Sequence, residues 1–265
     1  MLKNLGLRIF PFVAATAFAV DPHPIVEVET GFLVGSSGGG KWTAAENAKR
    51  EVKGGEHYHI YSLTKHLGAA IGGKPKSAGE PCVEVQVIPL KPKPAAGALA
   101  IAGNWNALPR IPKSQDVTQP AYVKVVRDFL VSKGIHNPKI KITQILRTDL
   151  EGDGEDEVLI SGTNYFNKDD DGVPSSAPPG SYSFVIVRRL VAGKVQTQLV
   201  AGDFYPTAKT FNAPAQYRIA AVLDADGDGK MEVIVDGGYY EGGWITIFRC
   251  TPKKIEQVLE VGCGA

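Results

Sequence analysis

The chain has 265 residues, 43% of them apolar and 22% charged, with a formal net charge of +1. That balance supplies a sizeable core, excludes a disordered polyelectrolyte and leaves no global basic field for nucleic acid. Thirty glycines and eighteen prolines imply many turns, hence a β-rich fold.

Residues 1–19 read as a secretory signal peptide. Lys3 and Arg8 supply a positive start, Ile9–Phe18 a short apolar stretch, and Ala17-Phe18-Ala19 a small-x-small cleavage pattern. The stretch is too short for a membrane span and contains Pro11; a buried first strand or helix is its other use. Cleavage after Ala19 leaves 27 basic against 28 acidic side chains, a charge of −1. A soluble, exported protein is expected, periplasmic or extracellular, and no other segment approaches a membrane span.

Residues 20–116 form an expected N-terminal β-rich region with one helix. Val26–Val34 reads as a strand leading into a flexible glycine turn at 35–40. Gly35-Ser36-Ser37-Gly38-Gly39-Gly40-Lys41 nearly spells a phosphate loop, but Trp42 stands where a Mg²⁺-binding hydroxyl belongs. Thr43-Ala44-Ala45-Glu46 is a capping box for a helix to about Val52, closed by Gly54-Gly55. Tyr58–Leu63, Val83–Leu90 and Ala98–Gly103 are strand candidates, and Lys91-Pro92-Lys93-Pro94 is a stiff connector. Ser62-Leu63-Thr64-Lys65 has the spacing of a serine nucleophile motif, yet it follows a strand and lacks the partner motifs. His57 and His59 share a strand face; joined by Glu56 or His66 they offer a transition-metal cluster, against the simpler reading of a solvated face.

A helix is expected at 117–135. Thr118 is positioned to cap it, Tyr122, Val125, Val126, Phe129 and Leu130 form one apolar stripe, and Gly134 stops it.

Two acidic loops follow, 75 residues apart. Asp149, Glu151, Asp153 and Glu157 occupy positions 1, 3, 5 and 9 of the first; Asp224, Asp226, Asp228 and Glu232 occupy those of the second. Glu155 and Lys230 at position 7 offer backbone carbonyls, and Gly154 and Gly229 stand at position 6. Oxygens on alternate residues before a chain-reversing glycine suit a Ca²⁺ ion, and four crowded carboxylates repel one another without a cation. Position 12 is Ile160 or Val235 and β-branched runs follow, which excludes EF-hands. Two structural Ca²⁺ ions are expected, with solvated acidic turns as the bland alternative. Asn167-Lys168-Asp169-Asp170-Asp171-Gly172 repeats the pattern, but Ser175 at position 9 and three nearby prolines make it a polar loop.

The repetition extends beyond the loops. Ile142–Leu146 and Val158–Gly162 line up with Tyr217–Leu223 and Val233–Gly237; Ser183–Arg188 matches Trp244–Arg249; Val195–Val200 matches Ile255–Val261. Residues 139–205 and 215–265 thus read as two four-stranded, propeller-blade-like antiparallel repeats. Over about 139–265 the chain resembles FG-GAP/VCBS-type calcium-loop repeats, with Glu157, Glu232 and Glu151 departing from the usual aspartates. A looser whole-chain resemblance is to exported bacterial proteins of unassigned function, on Gly54-Gly55-Glu56, Gly79-Glu80-Pro81-Cys82, Gly103-Asn104-Trp105-Asn106 and Val261-Gly262-Cys263-Gly264. The expected fold is mainly β with two or three short helices, either an incomplete or irregular β-propeller or a smaller α+β domain.

Three cysteines leave one unpaired. A hairpin around Thr251–Lys254 sets Cys250 opposite residue 255 and Cys263 near residue 242, too far apart to bond. Cys82–Cys263 is therefore the expected disulfide, with Cys250 a buried thiol. The expected role is an envelope binding or structural module whose protein or glycan partner meets the loops at 164–180 and 237–243, where Asn164-Tyr165-Phe166 and Tyr239–Trp244 carry aromatics. The competing class is a secreted hydrolase in the N-terminal half, for which His57, His59, Glu56 and Glu80 are the nominees.

Overall fold

A computed structural model describes residues 21–38, 40–164, 173–207 and 212–264. The expected signal peptide, Tyr165-Phe166 and the polar loop Asn167–Gly172 lie outside the described residues.

Among the described residues the fold is mainly β, with two helices and four antiparallel sheets, none closed into a barrel. In the N-terminal half the strands are β1 (His23–Glu27), β2 (Leu33–Gly38), β3 (Lys41–Ala44), β4 (His57–Tyr61), β5 (His66–Gly72), β6 (Lys76–Ser77), β7 (Gln86–Val87), β8 (Leu90–Lys91) and β9 (Leu99–Ile101), with α1 at Ala45–Ala48. Seven of them form one sheet, ordered β3-β2-β1-β9-β4-β5-β8; β6 and β7 pair separately. After β10 (Lys113–Ser114) and α2 (Pro120–Ser132) come two meanders. The first is β11 (Ile142–Thr148), β12 (Glu157–Thr163), β13 (Ser181–Val191) and β14 (Lys194–Tyr205), with β10 as an added edge. The second is β15 (Gln216–Leu223), β16 (Glu232–Tyr239), β17 (Gly242–Cys250) and β18 (Ile255–Gly264).

These sheets stack as layers, because the repeat strands are apolar on both faces and need cover on each. On one face of the first repeat, Ile145, Ile160, Phe184 and Ile186 meet Val126 and Leu130 of α2. Its other face, with Leu159, Val185 and Val187, joins the core of the second repeat, whose β15 packs on β12 and β13. The second repeat in turn buries Leu259 and Val261 with Ile25, Val34 and Ile101, where β18 meets β2 and β3. The outer face of the N-terminal sheet, Val26, Leu33, Tyr58 and Ile60, is covered by Ala48 of α1 and by Ile88 and Leu90.

Several local expectations are corrected. Val26–Val34 is two strands and a turn: the Glu27 carboxylate accepts the N–H groups of Glu29 and Thr30 and folds the chain back. The glycine stretch is largely β2, with Ser36 paired to Thr43. A Cβ at Gly35 would lie 2.5 Å from the Thr43 carbonyl and 2.7 Å from Leu259, so glycine there admits a neighbouring layer instead of providing flexibility. Thr43 is claimed by β3 and cannot cap, and α1 is a single turn with no side-chain cap. Val83–Leu90 pairs as strand only at Gln86–Val87 and at Leu90, with Pro89, which donates no ladder bond, between them. In α2 the N-cap is Gln119, while Thr118 bonds Asp116. Gly134 (φ 87°) ends α2, with Gly134 N–H to Val131 and Ile135 N–H to Leu130 in the Schellman pattern.

The repeats also align one residue differently. Val158 and Val233 stand at the same place after their loops, and they pair with Arg188 and Phe248 respectively. Arg189, not Arg188, is therefore the counterpart of Arg249. The connections before β13 and β17 differ in length, so sequence alone leaves the register free, and a one-residue slip moves a side chain to the opposite face.

Cys82 and Cys263 form a disulfide with Cα atoms 5.8 Å apart, and Cys263 pairs with Gly243 while Cys250 pairs with Ile255. Cys250 is a buried free thiol, and burial pushes its pKa up to about 12. No helix among the described residues is long and apolar enough to cross a membrane.

Candidate metal centre

Each acidic loop joins the first two strands of its meander, β11 to β12 and β15 to β16. The reversal uses glycines in the left-handed region: φ is 76° and 91° at Gly152 and Gly154, and 76° and 86° at Gly227 and Gly229. The first carboxylate then folds over the turn. Asp149 Oδ1 accepts N–H groups of Glu151, Gly152 and Asp153 at 3.1, 2.6 and 3.2 Å, and its Oδ2 accepts that of Gly154 at 2.9 Å. Asp224 accepts those of Gly227 and Gly229 at 2.7 and 3.0 Å. The ninth residue returns to the second, with Leu150 N–H to Glu157 Oε2 at 2.8 Å and Ala225 N–H to Glu232 Oε2 at 3.0 Å.

Burial separates the two loops. Asp224, Asp226 and Glu232 are buried, and each offers an oxygen within 4.8 Å of the others, a group that can hold a metal ion. Glu232 is 1% exposed and its Oε1 makes no hydrogen bond, alone among the carboxylate oxygens of the described residues in being buried in that state. Facing it is Arg249, whose Nε lies 3.5 Å away but out of hydrogen-bonding geometry. The same guanidinium pairs with Asp226, lies 3.6 Å from Asp228 and rests 5.5 Å from the centre of the Trp42 ring. Burial, with Asp226 adding to it, pushes the Glu232 pKa up to about 8 against the pull of the Ala225 N–H and Arg249. Burial likewise lifts Asp224 to about 6 and raises Asp226 above the usual carboxylate range.

The first loop is open. Asp153 and Glu155 are exposed, and Glu151 is half-buried, its carboxylate 3.0 Å from the buried Arg189. Only Glu157 is buried, and burial raises its pKa. At Asp149 burial also pushes upward but is outweighed by the N–H groups of Gly154, Gly152 and Asp153 and by Arg110, so its carboxyl sits below the usual range. The second loop keeps Asp228 at its exposed rim, where Oδ1 accepts the Lys230 N–H at 2.8 Å.

What buries the second loop is the N-terminal half. Trp105 Nε1 donates to the Asp224 carbonyl at 2.7 Å, Ser37 Oγ donates to the Ala225 carbonyl at 2.9 Å, and the Asp224 N–H donates to the Ala107 carbonyl at 2.8 Å. Arg110 then spans both loops, with Nε to the Asp149 carbonyl at 2.5 Å and Nη2 to the Gly229 carbonyl at 2.8 Å. From the sequence, Arg110, Arg189, Arg249 and Trp42 are given no role at the acidic loops. The available signal was an arginine late in the third strand of both repeats.

The N-terminal nominees do not converge. His59 Nδ1 and His66 Nε2 are 3.2 Å apart, but Glu56 is turned to the N–H groups of Lys53 and Gly54, and Glu80 is exposed on its loop. None of them lines the cavity of about 580 Å³ between the sheets. Comparison with protein-family models, with curated proteins and with solved structures gives no match.

Proposed function

We propose that the chain is an exported, calcium-stabilised β-repeat module of the FG-GAP/VCBS type that binds a partner in the cell envelope. The observation that carries the reading is the buried group of Asp224, Asp226 and Glu232, in which Glu232 Oε1 has no hydrogen bond and only the Arg249 guanidinium, 3.5 Å away, as an ion-pair partner. A donor set made wholly of carboxylate oxygens suits a hard dication such as Ca²⁺ over a thiolate- or imidazole-seeking metal. Two ions are expected from the sequence; the geometry supports one, in the second loop, because the first loop's carboxylates are spread out and Asp149 is already satisfied by backbone donors. The role is structural, since the same loop anchors the N-terminal half through Ser37, Trp105 and Ala107. The disulfide fits an oxidising compartment.

Thermal unfolding in excess Ca²⁺ and in EGTA tests this. At ten times Kd one ion adds about 1.4 kcal/mol, or about 3–5 °C for a chain of this size. Equal midpoints in the two conditions would reduce both loops to acidic turns.

A further inference from the structure

A second feature lies at the other end of the layers. The acidic loop joins β15 and β16 at one end, whereas Arg218 near the start of β15 and Asp236 toward the end of β16 line a cavity of about 580 Å³. That volume falls within the usual range of about 300–1,000 Å³ for small-molecule sites, and a junction between packed units is a common place for one. All three large sheets contribute: Phe32 and Leu63 from the N-terminal half, Ile219 and Ile245 from the second repeat, Gln144 from the first. Gln144 is spent on the Ile219 backbone, donating to its carbonyl at 3.0 Å and accepting its N–H at 2.9 Å.

The charges of the lining do not balance. Among the described residues of the lining, Glu27, Glu29 and Asp236 bring three carboxylates and Arg218 is the one cation. Arg218 is paired with Asp236, yet burial, with Glu29 and Glu27 adding to it, still holds the Asp236 carboxyl above its usual range. Glu27 is fixed in place by the N–H groups of Glu29 and Thr30 at 2.6 and 2.7 Å. The result is a cleft of mixed polar and apolar lining whose described residues carry more carboxylates than cations, which disfavours anions.

We propose that this cavity binds a small organic cation with an apolar body, its ammonium or guanidinium between Glu29 and Asp236 and its hydrocarbon against Phe32, Leu63 and Ile219. The assignment deepens the binding-module reading by naming a ligand class, and it does not depend on the ion. A charge-assisted hydrogen bond in such a cleft distinguishes a cation from its neutral isostere by about tenfold or more.

Calorimetric titration of the full chain with 2-phenylethylammonium, 2-phenylethanol and 3-phenylpropionate, each in Ca²⁺ and in EGTA, is the test. The amine is expected to bind about tenfold tighter than the alcohol, with no heat from the propionate. Glu29→Gln, at an exposed position, should weaken the amine severalfold and leave the alcohol unchanged; Asp236→Asn should act in the same direction. Equal affinity for amine and alcohol, or an amine preference that survives both substitutions, overturns the proposal. Amine selectivity that persists in EGTA supports the proposal even if calcium fails to move the unfolding midpoint.

Discussion

The two acidic loops share a spacing, a turn and a position in their meanders, yet they sit in different physical situations. The first faces solvent and is closed by its own backbone, four N–H groups converging on Asp149. The second lies beneath Trp105 and Ser37, with two N–H groups on Asp224 and an oxygen of Glu232 left without a hydrogen bond. The motif prescribes a turn rich in oxygen. Tertiary cover decides whether those oxygens are already satisfied or require a cation.

The arginines should divide the loops most sharply. Arg249→Met strands Asp226 and Glu232, whose side chains are 0% and 1% exposed, and should cost about 3–5 kcal/mol in EGTA, with Ca²⁺ at ten times Kd restoring about 1.4 kcal/mol of the loss. Arg189→Met frees Glu151, whose side chain is 21% exposed, and takes a donor from the Cys250 carbonyl, but it also removes two buried nitrogens without hydrogen bonds, so about 1–2 kcal/mol is expected. Denaturant unfolding of both variants checks this; equal losses would erase the distinction between the loops.

Next in size is a reversal of sign. Glu232→Gln replaces a carboxyl that burial already biases toward its protonated form, so in EGTA it should be neutral or stabilising, while in Ca²⁺ it should lose the ion's contribution of about 1.4 kcal/mol. Glu157→Gln should give the same small change in both conditions. A matching reversal at Glu157 would place an ion in the first loop as well.

The smallest effect concerns cover. Gly152→Ala and Gly227→Ala both put a side chain at φ 76°, costing about 1 kcal/mol each. A Cβ at Gly227 would also lie 2.9 Å from the Trp105 ring, against 3.3 Å from the end of the flexible Arg110 at Gly152. The Gly227 variant should therefore melt lower by about 1 kcal/mol more; identical midpoints would mean that the N-terminal cover yields easily.

Much of this was legible in the chain. The repeated loop and its flanking β-branched runs locate both meanders, and the hairpin around Thr251–Lys254 is enough to choose Cys82–Cys263. Those signals are local, a turn or a period of two. What the sequence left obscure is non-local. That Arg189 rather than Arg188 answers to Arg249 depends on strand register across connections of unequal length. That Gly35 makes room for Leu259, and that Trp105 covers Gly227, depend on how separate layers meet. The N-terminal half was read least well because its strands are short and interrupted by proline, so propensity carries little weight against tertiary pairing.

The most direct test is the number of calcium ions bound, counted by equilibrium dialysis of the wild type, Glu232→Gln and Glu157→Gln. One ion in the wild type, retained in Glu157→Gln and lost in Glu232→Gln, is the predicted result. Two ions, or one ion lost with Glu157 and kept without Glu232, would contradict the assignment of the site to the buried second loop.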